Sequence, residues 1–141
     1  MFDYVIDRAI ADPNRVQHCA FGPIYIELQV DDAKTFLTID KAGARLNGSP
    51  PEHRIDLTLS ATADDWSELT APIPKPGYQT LSTMRRTQSL IVTGDMVKFY
   101  QHLLLLEMLF SNLSDQPSFP QPAPIAAPMI EPVVGRYLRL Q

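Results

Sequence analysis

The most regular pattern along the chain is a strict alternation of apolar and polar residues, which predicts β-strands because successive side chains of a strand point to opposite faces. The alternation is clearest over residues 24–31, and it returns over residues 35–40 and 53–60. A short strand through Leu46 and a further strand over residues 88–93 complete the set. The pattern therefore predicts a sheet of five strands, of which the first three form an antiparallel meander.

Apolar residues at helical spacing predict helices before, between and after these strands. A short first helix ends just before Pro13, since proline disfavours helical geometry in the residue that precedes it. Thr62 is suited to cap a helix after the fourth strand, and residues 78–85 predict a short helix before the fifth. Asp95 is suited to cap the last helix, which is predicted to run to Asn112 with a length of about 27 Å.

This last helix has a polar stripe in its first half that its second half lacks. Lys98 and His102 share one side, but Leu105 and Leu109, which continue that side, are apolar. Glu107 lies among apolar residues, where a carboxylate needs a cationic or hydrogen-bonding partner. A helix that is apolar on all sides is not stable in contact with water. We therefore expect an apolar cover over the second half of this helix: a lipid-like ligand, a second copy of the chain, or the chain's own tail.

Composition and charge narrow the class of protein. The 141 residues are 45% apolar, as in one ordinary soluble domain. A net charge of −4 argues against a protein held on nucleic acid or anionic lipid by charge alone. The single cysteine, Cys19, and the lack of an export leader predict a cytoplasmic protein. The longest apolar run, Leu103 to Leu106, is far short of the roughly 20 residues that span a bilayer, so stable membrane insertion is not expected.

The carboxy-terminal residues differ from the rest of the chain. Six prolines lie between residues 117 and 132, which excludes a helix or a central strand there. Apolar residues return from Ile130 to Leu140, and a merely solvating tail would not need them. We therefore expect a domain over residues 1–113 and an extended proline-rich tail over residues 114–141, which docks on a partner or a neighbouring subunit.

Three short motifs follow one another between Tyr25 and Asn112. They are Ile55-Asp56-Leu57-Thr58-Leu59-Ser60, Asp64-Asp65-Trp66 and Leu90-Ile91-Val92-Thr93-Gly94-Asp95. Together with the order of elements they resemble the sterol carrier protein 2-like family. The resemblance implies an α/β fold of the α+β type, in which a five-stranded mixed sheet, largely antiparallel, is covered by helices. In that family the sheet and helices enclose an apolar tunnel for fatty acyl or sterol-like molecules.

By that resemblance, a ligand lies between the sheet and the last helix. The residues expected to line the tunnel are Trp66, Met84, Leu90, Val92, Met96, Phe99, Tyr100, Leu103 and Leu104. Arg85 and Arg86 are expected to receive a carboxylate or phosphate headgroup at the mouth of the tunnel, because guanidinium geometry suits both groups. Either arginine is also a candidate cationic partner for Glu107, and solvated surface is the simpler explanation for two arginines before a strand.

No catalytic constellation is recognisable. His18 and Cys19 point to opposite faces of a predicted extended segment, which is poor geometry for a nucleophile and its base. Asp64 and Asp65 are explained by the first turn of a helix, where acidic residues are favourable. The histidines lie on different predicted elements without the spacing of metal ligands. We expect no enzymatic activity, no metal and no cofactor.

Two functions stay open. The first is a non-catalytic binding module for a fatty acyl or sterol-like molecule. The second is a structural or accessory subunit that forms a homo-oligomer, most simply a dimer, or binds a separately encoded enzyme through the last helix and tail. Glu131 to Tyr137 resembles the linker that joins a domain of this kind to an α/β-hydrolase in some bacterial proteins. The chain has no Gly-Xaa-Ser-Xaa-Gly nucleophile turn of its own, so the partner enzyme would supply that chemistry.

Overall fold

The computed structural model describes residues 1–19 and 21–112, and the expectations for residues 114–141 lie outside this part of the chain. The described residues form six helices and five strands. In chain order these elements are α1 (Asp3–Ala11), α2 (Pro13–Cys19), β1 (Ile24–Val30), β2 (Ala33–Asp40), β3 (Gly43–Asn47), β4 (Leu57–Ala61), α3 (Ala63–Leu69), α4 (Leu81–Arg86), β5 (Ile91–Gly94), α5 (Met96–Gln101) and α6 (Leu103–Phe110).

The strands form one sheet in the order β3-β2-β1-β4-β5. β1 pairs antiparallel with β2 and parallel with β4, whereas the β2–β3 and β4–β5 pairs are antiparallel. The parallel pair arises because the chain leaves β3 at one edge and crosses to the far side of β1 before it forms β4. The sheet is mixed and largely antiparallel, which confirms the predicted α+β class.

One face of the sheet carries the core. Ile24, Ile26 and Leu28 of β1 are fully buried, and the register places Leu37 and Ile39 of β2 on the same face. Buried apolar residues of all six helices belong to the same cluster. The helices therefore form a layer on this core face, and the alternation of the strands predicted which residues they meet.

The turn between β5 and α5 is fixed by a close approach of two backbones. Gly94 has a φ of +114°, and a Cβ atom there would collide with the backbone oxygen of Asp56. The Asp95 N–H donates to that oxygen at 2.8 Å. The Asp95 carboxylate accepts from the N–H groups of Val97 and Lys98, which confirms it as the cap of α5.

The sequence interpretation missed α2. The first helix ends at Ala11, as the position of Pro13 predicted, but Pro13 also begins a second helix. The Asp12 carboxylate accepts from the Arg15 N–H at 3.2 Å. Proline is favoured at the first position of a helix and aspartate at its cap. His18 and Cys19 consequently lie in a helix, not in the extended segment that was expected.

The predicted last helix is broken in two at His102. The Nδ1 atom of its ring lies 2.8 Å from the Lys98 carbonyl, and its Nε2 atom accepts from the Phe21 N–H at 3.3 Å. The His102 N–H donates to the same carbonyl at 3.0 Å, so the ring and the backbone share one acceptor at this point. The single helix that was expected is therefore two consecutive helices, α5 and α6.

The expected cover of the last helix comes from a source that the sequence interpretation did not name. Leu105 is fully buried and Leu109 is 3% exposed. α1 and α2 pack against α6, and a groove of about 170 Å³ at this junction is lined by Arg8, Val16 and both leucines, among others. The amino-terminal helices cover these two leucines. Leu104, the residue next to Leu105 on α6, faces outward and is 60% exposed.

Side chains of α1 hold the carboxyl end of α6. The Tyr4 hydroxyl donates to the Phe110 carbonyl at 2.7 Å, and the Arg8 guanidinium donates to the carbonyls of Leu109, at 3.2 Å, and Ser111. Carbonyls at a helix end lack intrahelical donors, and a cation is favourable there. Burial raises the pKa of Tyr4 above its ordinary value.

In the described part of the chain, none of the helices has the length and apolar character needed to cross a membrane.

Candidate functional site

The residues predicted to line a tunnel fall into three groups. At most 1% of the side chain is exposed in Trp66, Met84, Leu90 and Phe99. Partly buried positions packed against the core are Val92, Met96 and Leu103. Outward-facing positions are Tyr100, at 56% exposure, and Leu104, at 60%. The first two groups pack in the layer between sheet and helices, and the lining role of the whole set stays a prediction.

The two arginines expected at the tunnel mouth are both exposed at the end of α4. The Arg85 guanidinium donates to the Tyr100 hydroxyl at 3.0 Å and lies 5.7 Å from the ring centres of Phe99 and Tyr100. Cation–π contacts of this kind hold the guanidinium over the aromatic surface of α5. The headgroup role of Arg85 and Arg86 stays a prediction.

Of the two kinds of partner predicted for Glu107, a cation or a hydrogen-bond donor, the structure supplies donors. Glu107 is 6% exposed, and its carboxylate accepts from the Leu81 N–H at 2.7 Å, the Ser82 N–H at 3.1 Å and the Ser82 hydroxyl at 2.9 Å. These are the first two N–H groups of α4, and the Thr80 hydroxyl accepts from the third. Glu107 therefore joins α4 to α6 by completing the cap of α4.

A cleft opens between the start of α1 and one end of the core face of the sheet, with a volume of about 440 Å³. We call it the α1 cleft. Its lining residues are Met1, Phe2, Asp3, Val30, Ala33, Thr35, Leu46, Asn47 and Gly48. It lies between α1 and the sheet, whereas the resemblance placed the tunnel between the sheet and the last helix, and none of the predicted lining residues is among those that line it.

Small residues make room for the α1 cleft. The pairing register places Ala33 and Thr35 on the core face, but these side chains are much smaller than Leu37 further along β2. At this end of the sheet Val30 and Leu46 are only half-buried, whereas Leu37 is fully buried. Apolar surface of the core face therefore stays accessible where the helices do not cover it.

Phe2 forms the inner wall of the α1 cleft. Its side chain is 4% exposed, and its ring centre lies 5.0 Å from that of Trp66, edge to face, and 5.9 Å from that of Phe110. The Trp66 Nε1 donates to the Gln29 carbonyl at 3.0 Å, which fixes the indole against β1. Behind Phe2 the cleft would continue to Trp66, one of the predicted lining residues.

Polar groups make up about half of the surface of the α1 cleft. Asp3, Thr35 and Asn47 contribute side chains that can orient a ligand, and Val30 and Leu46 contribute apolar surface. Binding sites for small molecules are typically clefts of about 300–1,000 Å³ with apolar walls and a few polar groups. The α1 cleft has a volume in this range, but it is open to solvent and its walls are more polar.

A wider depression of about 610 Å³ lies between the α2–β1 loop and the β2–β3 turn. The Asp40 carboxylate in its wall is engaged by the Arg45 guanidinium at 2.7 and 3.1 Å, and this hydrogen bond lowers the pKa of Asp40. The Ala42 N–H donates to the same carboxylate at 2.9 Å. The depression is mostly apolar, but it lies at turns, outside the layer between the sheet and the helices where the resemblance places a ligand.

Other candidate chemistry has a structural explanation. Thr62 caps α3 by accepting from the Asp65 N–H, so Asp64 and Asp65 occupy the first turn of a helix as predicted. The Tyr78 hydroxyl donates to the Asp65 carboxylate at 3.0 Å. Among residues 1–19 and 21–112, no three His, Cys, Asp or Glu side chains are grouped so that they could hold a metal ion.

The residues of the α1 cleft were not predicted from the sequence. One signal was available: Ala33 and Thr35 are small residues on the face of β2 that Leu37 and Ile39 identify as the core face. A change from large to small side chains along the core face of one strand predicts unfilled space beside the small ones. The sequence around Phe2 does not indicate that this residue lines the cleft, because only the fold brings the start of the chain to this end of the sheet.

Comparisons with known proteins support the fold. No family model matches the sequence, and no curated protein does. Among solved structures, the chain is similar to the stereoselective inverting sec-alkylsulfatase Pisa1 from Pseudomonas sp., with 17% identity and a TM-score of 0.54. That match covers 75% of this chain but only 16% of the sulfatase chain.

A second similar structure is the sterol carrier protein domain 2 of Helicoverpa armigera, with 15% identity and a TM-score of 0.51. This match covers 77% of the present chain and 86% of that domain. The order of strands and helices, the motifs around Asp56, Trp66 and Gly94, and this likeness agree. The chain has a sterol carrier protein 2-like fold.

Proposed function

We propose that this chain is a non-catalytic binding module for an apolar molecule of the fatty acyl or sterol-like class. The observation that carries the proposal is the α1 cleft, where Val30 and Leu46 of the core face stay accessible between sheet and helices. The solved structure named as a sterol carrier protein domain has the same fold, which supports this class of ligand. The volume of the cleft lies within the usual range for small-molecule sites.

Burial of apolar surface supplies the driving force. An acyl chain that buries roughly 300 Å² gains about 7 kcal/mol before the costs of ordering are subtracted. The polar side chains of Asp3, Thr35 and Asn47 at the cleft orient the ligand and add little affinity. Little discrimination between acyl chains is expected from such a site, because apolar burial is not directional.

In this proposal the predicted lining residues form the inner part of the binding site, beyond the α1 cleft. Trp66 lies directly behind Phe2, so a ligand longer than the α1 cleft reaches the indole once the Phe2 ring moves aside. Met84, Leu90 and Phe99 belong to the same buried cluster as Trp66. Displacement of Phe2 is therefore the step that connects the open cleft with the predicted tunnel.

The test is a titration of the full chain with a fluorescent fatty acid, with native mass spectrometry to count bound molecules. Ala33→Phe fills the α1 cleft, and Lys34→Phe places the same side chain on the opposite face of β2 as the matched control. We expect saturable binding at one site and an affinity about tenfold lower in Ala33→Phe, which corresponds to about 1.4 kcal/mol. Lys34→Phe should bind as the unaltered chain does.

Two results would count against the proposal. Absence of saturable binding, with only bare protein in the mass spectrum, would remove the binding function. Equal affinities in Ala33→Phe and Lys34→Phe would move the site away from the α1 cleft.

The alternative function, an accessory unit of an enzyme, is supported by a different observation. The same fold accounts for 16% of an alkylsulfatase chain, so it occurs as a part of a larger enzyme. A homo-oligomer or a bound enzyme such as an α/β-hydrolase would then use the surface of α5 and α6 together with residues 114–141. A mass that rises with concentration, measured by light scattering, would favour the homo-oligomer over the carrier.

A further inference from the structure

Exposed apolar residues form a stripe along α5 and α6. Val97 is 67% exposed, Tyr100 is 56% exposed and Leu104 is 60% exposed. Val97 and Tyr100 lie three residues apart on α5, and Leu104 and the half-buried Met108 lie four residues apart on α6, so each pair shares one side of its own helix. We call these four residues the outer stripe. Single exposed apolar residues are normal, but a contiguous stripe indicates an interaction surface.

Arg85 orients one residue of the outer stripe, Tyr100. The Arg85 guanidinium donates to the Tyr100 hydroxyl at 3.0 Å and also lies over the Phe99 ring, which packs in the core. The Tyr100 ring is thereby held in one position on the surface. Ordered aromatic side chains with an adjacent arginine are the usual anchors of interfaces, because little entropy is lost when they are covered.

The outer stripe is too small for a stable dimer of independent chains. Its exposed side chains offer roughly 300–400 Å² in total, whereas a standard interface needs about 800 Å² from each partner. A segment tethered to the same chain does not pay the translational cost of association, and it is present at an effective concentration of about millimolar. The size of the stripe therefore favours a tethered occupant.

The chain itself supplies such a segment. Asn112 is fixed by the Arg8 guanidinium at 2.6 Å and donates to the Ala71 carbonyl at 3.1 Å, so the exit of the chain lies at the Met108 end of the outer stripe. Residues 113–129 follow, and in the extended geometry of proline-rich sequence they reach about 50 Å. The outer stripe from Met108 to Val97 measures only about 17 Å.

We infer that residues 130–140 dock on the outer stripe of their own chain. This segment carries Ile130, Val133, Val134, Tyr137 and Leu138, which a solvated tail would not need. The proline-rich residues before it then act as a spacer that turns the chain back along α6 and α5. This inference does not depend on the α1 cleft, which lies on a different surface.

The test is amide hydrogen exchange, read by mass spectrometry on peptides that cover residues 130–140 of the full chain. We expect exchange about tenfold slower than in a free peptide of the same sequence. Leu104→Lys puts a charge into the outer stripe and should restore the peptide rate. Gln101→Lys, at an exposed polar position on the same helix, is the matched control and should leave the protection unchanged.

Three results would overturn the inference. The first is exchange of residues 130–140 at the free-peptide rate in the unaltered chain. The second is equal protection in Leu104→Lys and Gln101→Lys, which would place the segment elsewhere. The third is protection that weakens on roughly twentyfold dilution, which would make a second copy of the chain the occupant.

Discussion

Replacement of Phe2 by alanine should destabilise the protein and enlarge its binding site at the same time. The Phe2 side chain is 4% exposed and makes two aromatic contacts, with ring centres 5.0 Å from Trp66 and 5.9 Å from Phe110. Removing a buried phenylalanine typically costs about 3–5 kcal/mol, because both the burial and the contacts around the new cavity are lost. For a domain of this size the melting temperature should fall by about 12–20 °C.

An apolar ligand should offset part of that loss. Phe2→Ala joins the α1 cleft to the space beside Trp66, so a fatty acid can fill the volume that the ring leaves. The assay is thermal unfolding followed by Trp66 fluorescence, with and without saturating ligand. The rise in melting temperature on ligand addition should be larger in Phe2→Ala than in the unaltered chain.

Phe21→Ala is the matched control, since the Phe21 side chain is 69% exposed. It should change the free energy of unfolding by less than about 1 kcal/mol. The reasoning fails if Phe2→Ala costs less than about 1 kcal/mol, or if the ligand stabilises both phenylalanine variants and the unaltered chain to the same extent.

Three further predictions concern other sites. Glu107→Leu should lower the free energy of unfolding by about 2–4 kcal/mol in urea titrations, because two N–H groups at the start of α4 lose their acceptor; a loss below about 1 kcal/mol would contradict that role. The hydrogen bond from Arg45 lowers the pKa of Asp40 in the folded state. The ionised Asp40 carboxylate therefore stabilises the fold at pH values above its unfolded-state pKa, and this stabilisation is lost as the pH falls through the folded-state pKa. In Arg45→Gln the Asp40 pKa, measured by NMR titration, should rise toward the ordinary value of an aspartate, and an unchanged pKa would exclude Arg45 as the cause. If Arg85 binds a ligand carboxylate, Arg85→Ala should weaken fatty acid binding about tenfold and leave the methyl ester unaffected, whereas equal changes for both ligands would exclude this role.

The strands and caps could be predicted because their signals are local. β1 alternates over its whole length, and its apolar residues Ile24, Ile26 and Leu28 are those that the structure buries. Thr62 and Asp95 cap α3 and α5 with the side-chain geometry that their positions suggest. In each case the information lies within a few residues of the element that it determines.

The helices before β1 and after β5 show where local signals are incomplete. Pro13 marks the end of the first helix as predicted, but it also begins the next helix, and only Asp12 in front of it indicates that second helix. His102 has no sequence signature of a helix break, since its ring acts through the Lys98 carbonyl and the loop at Phe21. The partners of these groups depend on tertiary packing.

The candidate site depends on contacts between distant parts of the chain. Glu107 accepts from α4, and α1 and α2 cover Leu105 and Leu109. The α1 cleft likewise needs the start of the chain beside the far end of β2 and β3. A periodic pattern reveals which face of an element is apolar, but it does not reveal which other element covers that face.

The central claim is that an apolar ligand enters between α1 and the core face of the sheet. The most direct measurement is a ¹H–¹⁵N NMR titration of the full chain with a fatty acid. The account predicts saturable shifts of the amide signals of Phe2, Val30 and Leu46, with the signals of Ile91 in β5 unchanged. Signals that do not shift, or shifts confined to β5 and α5, would contradict it.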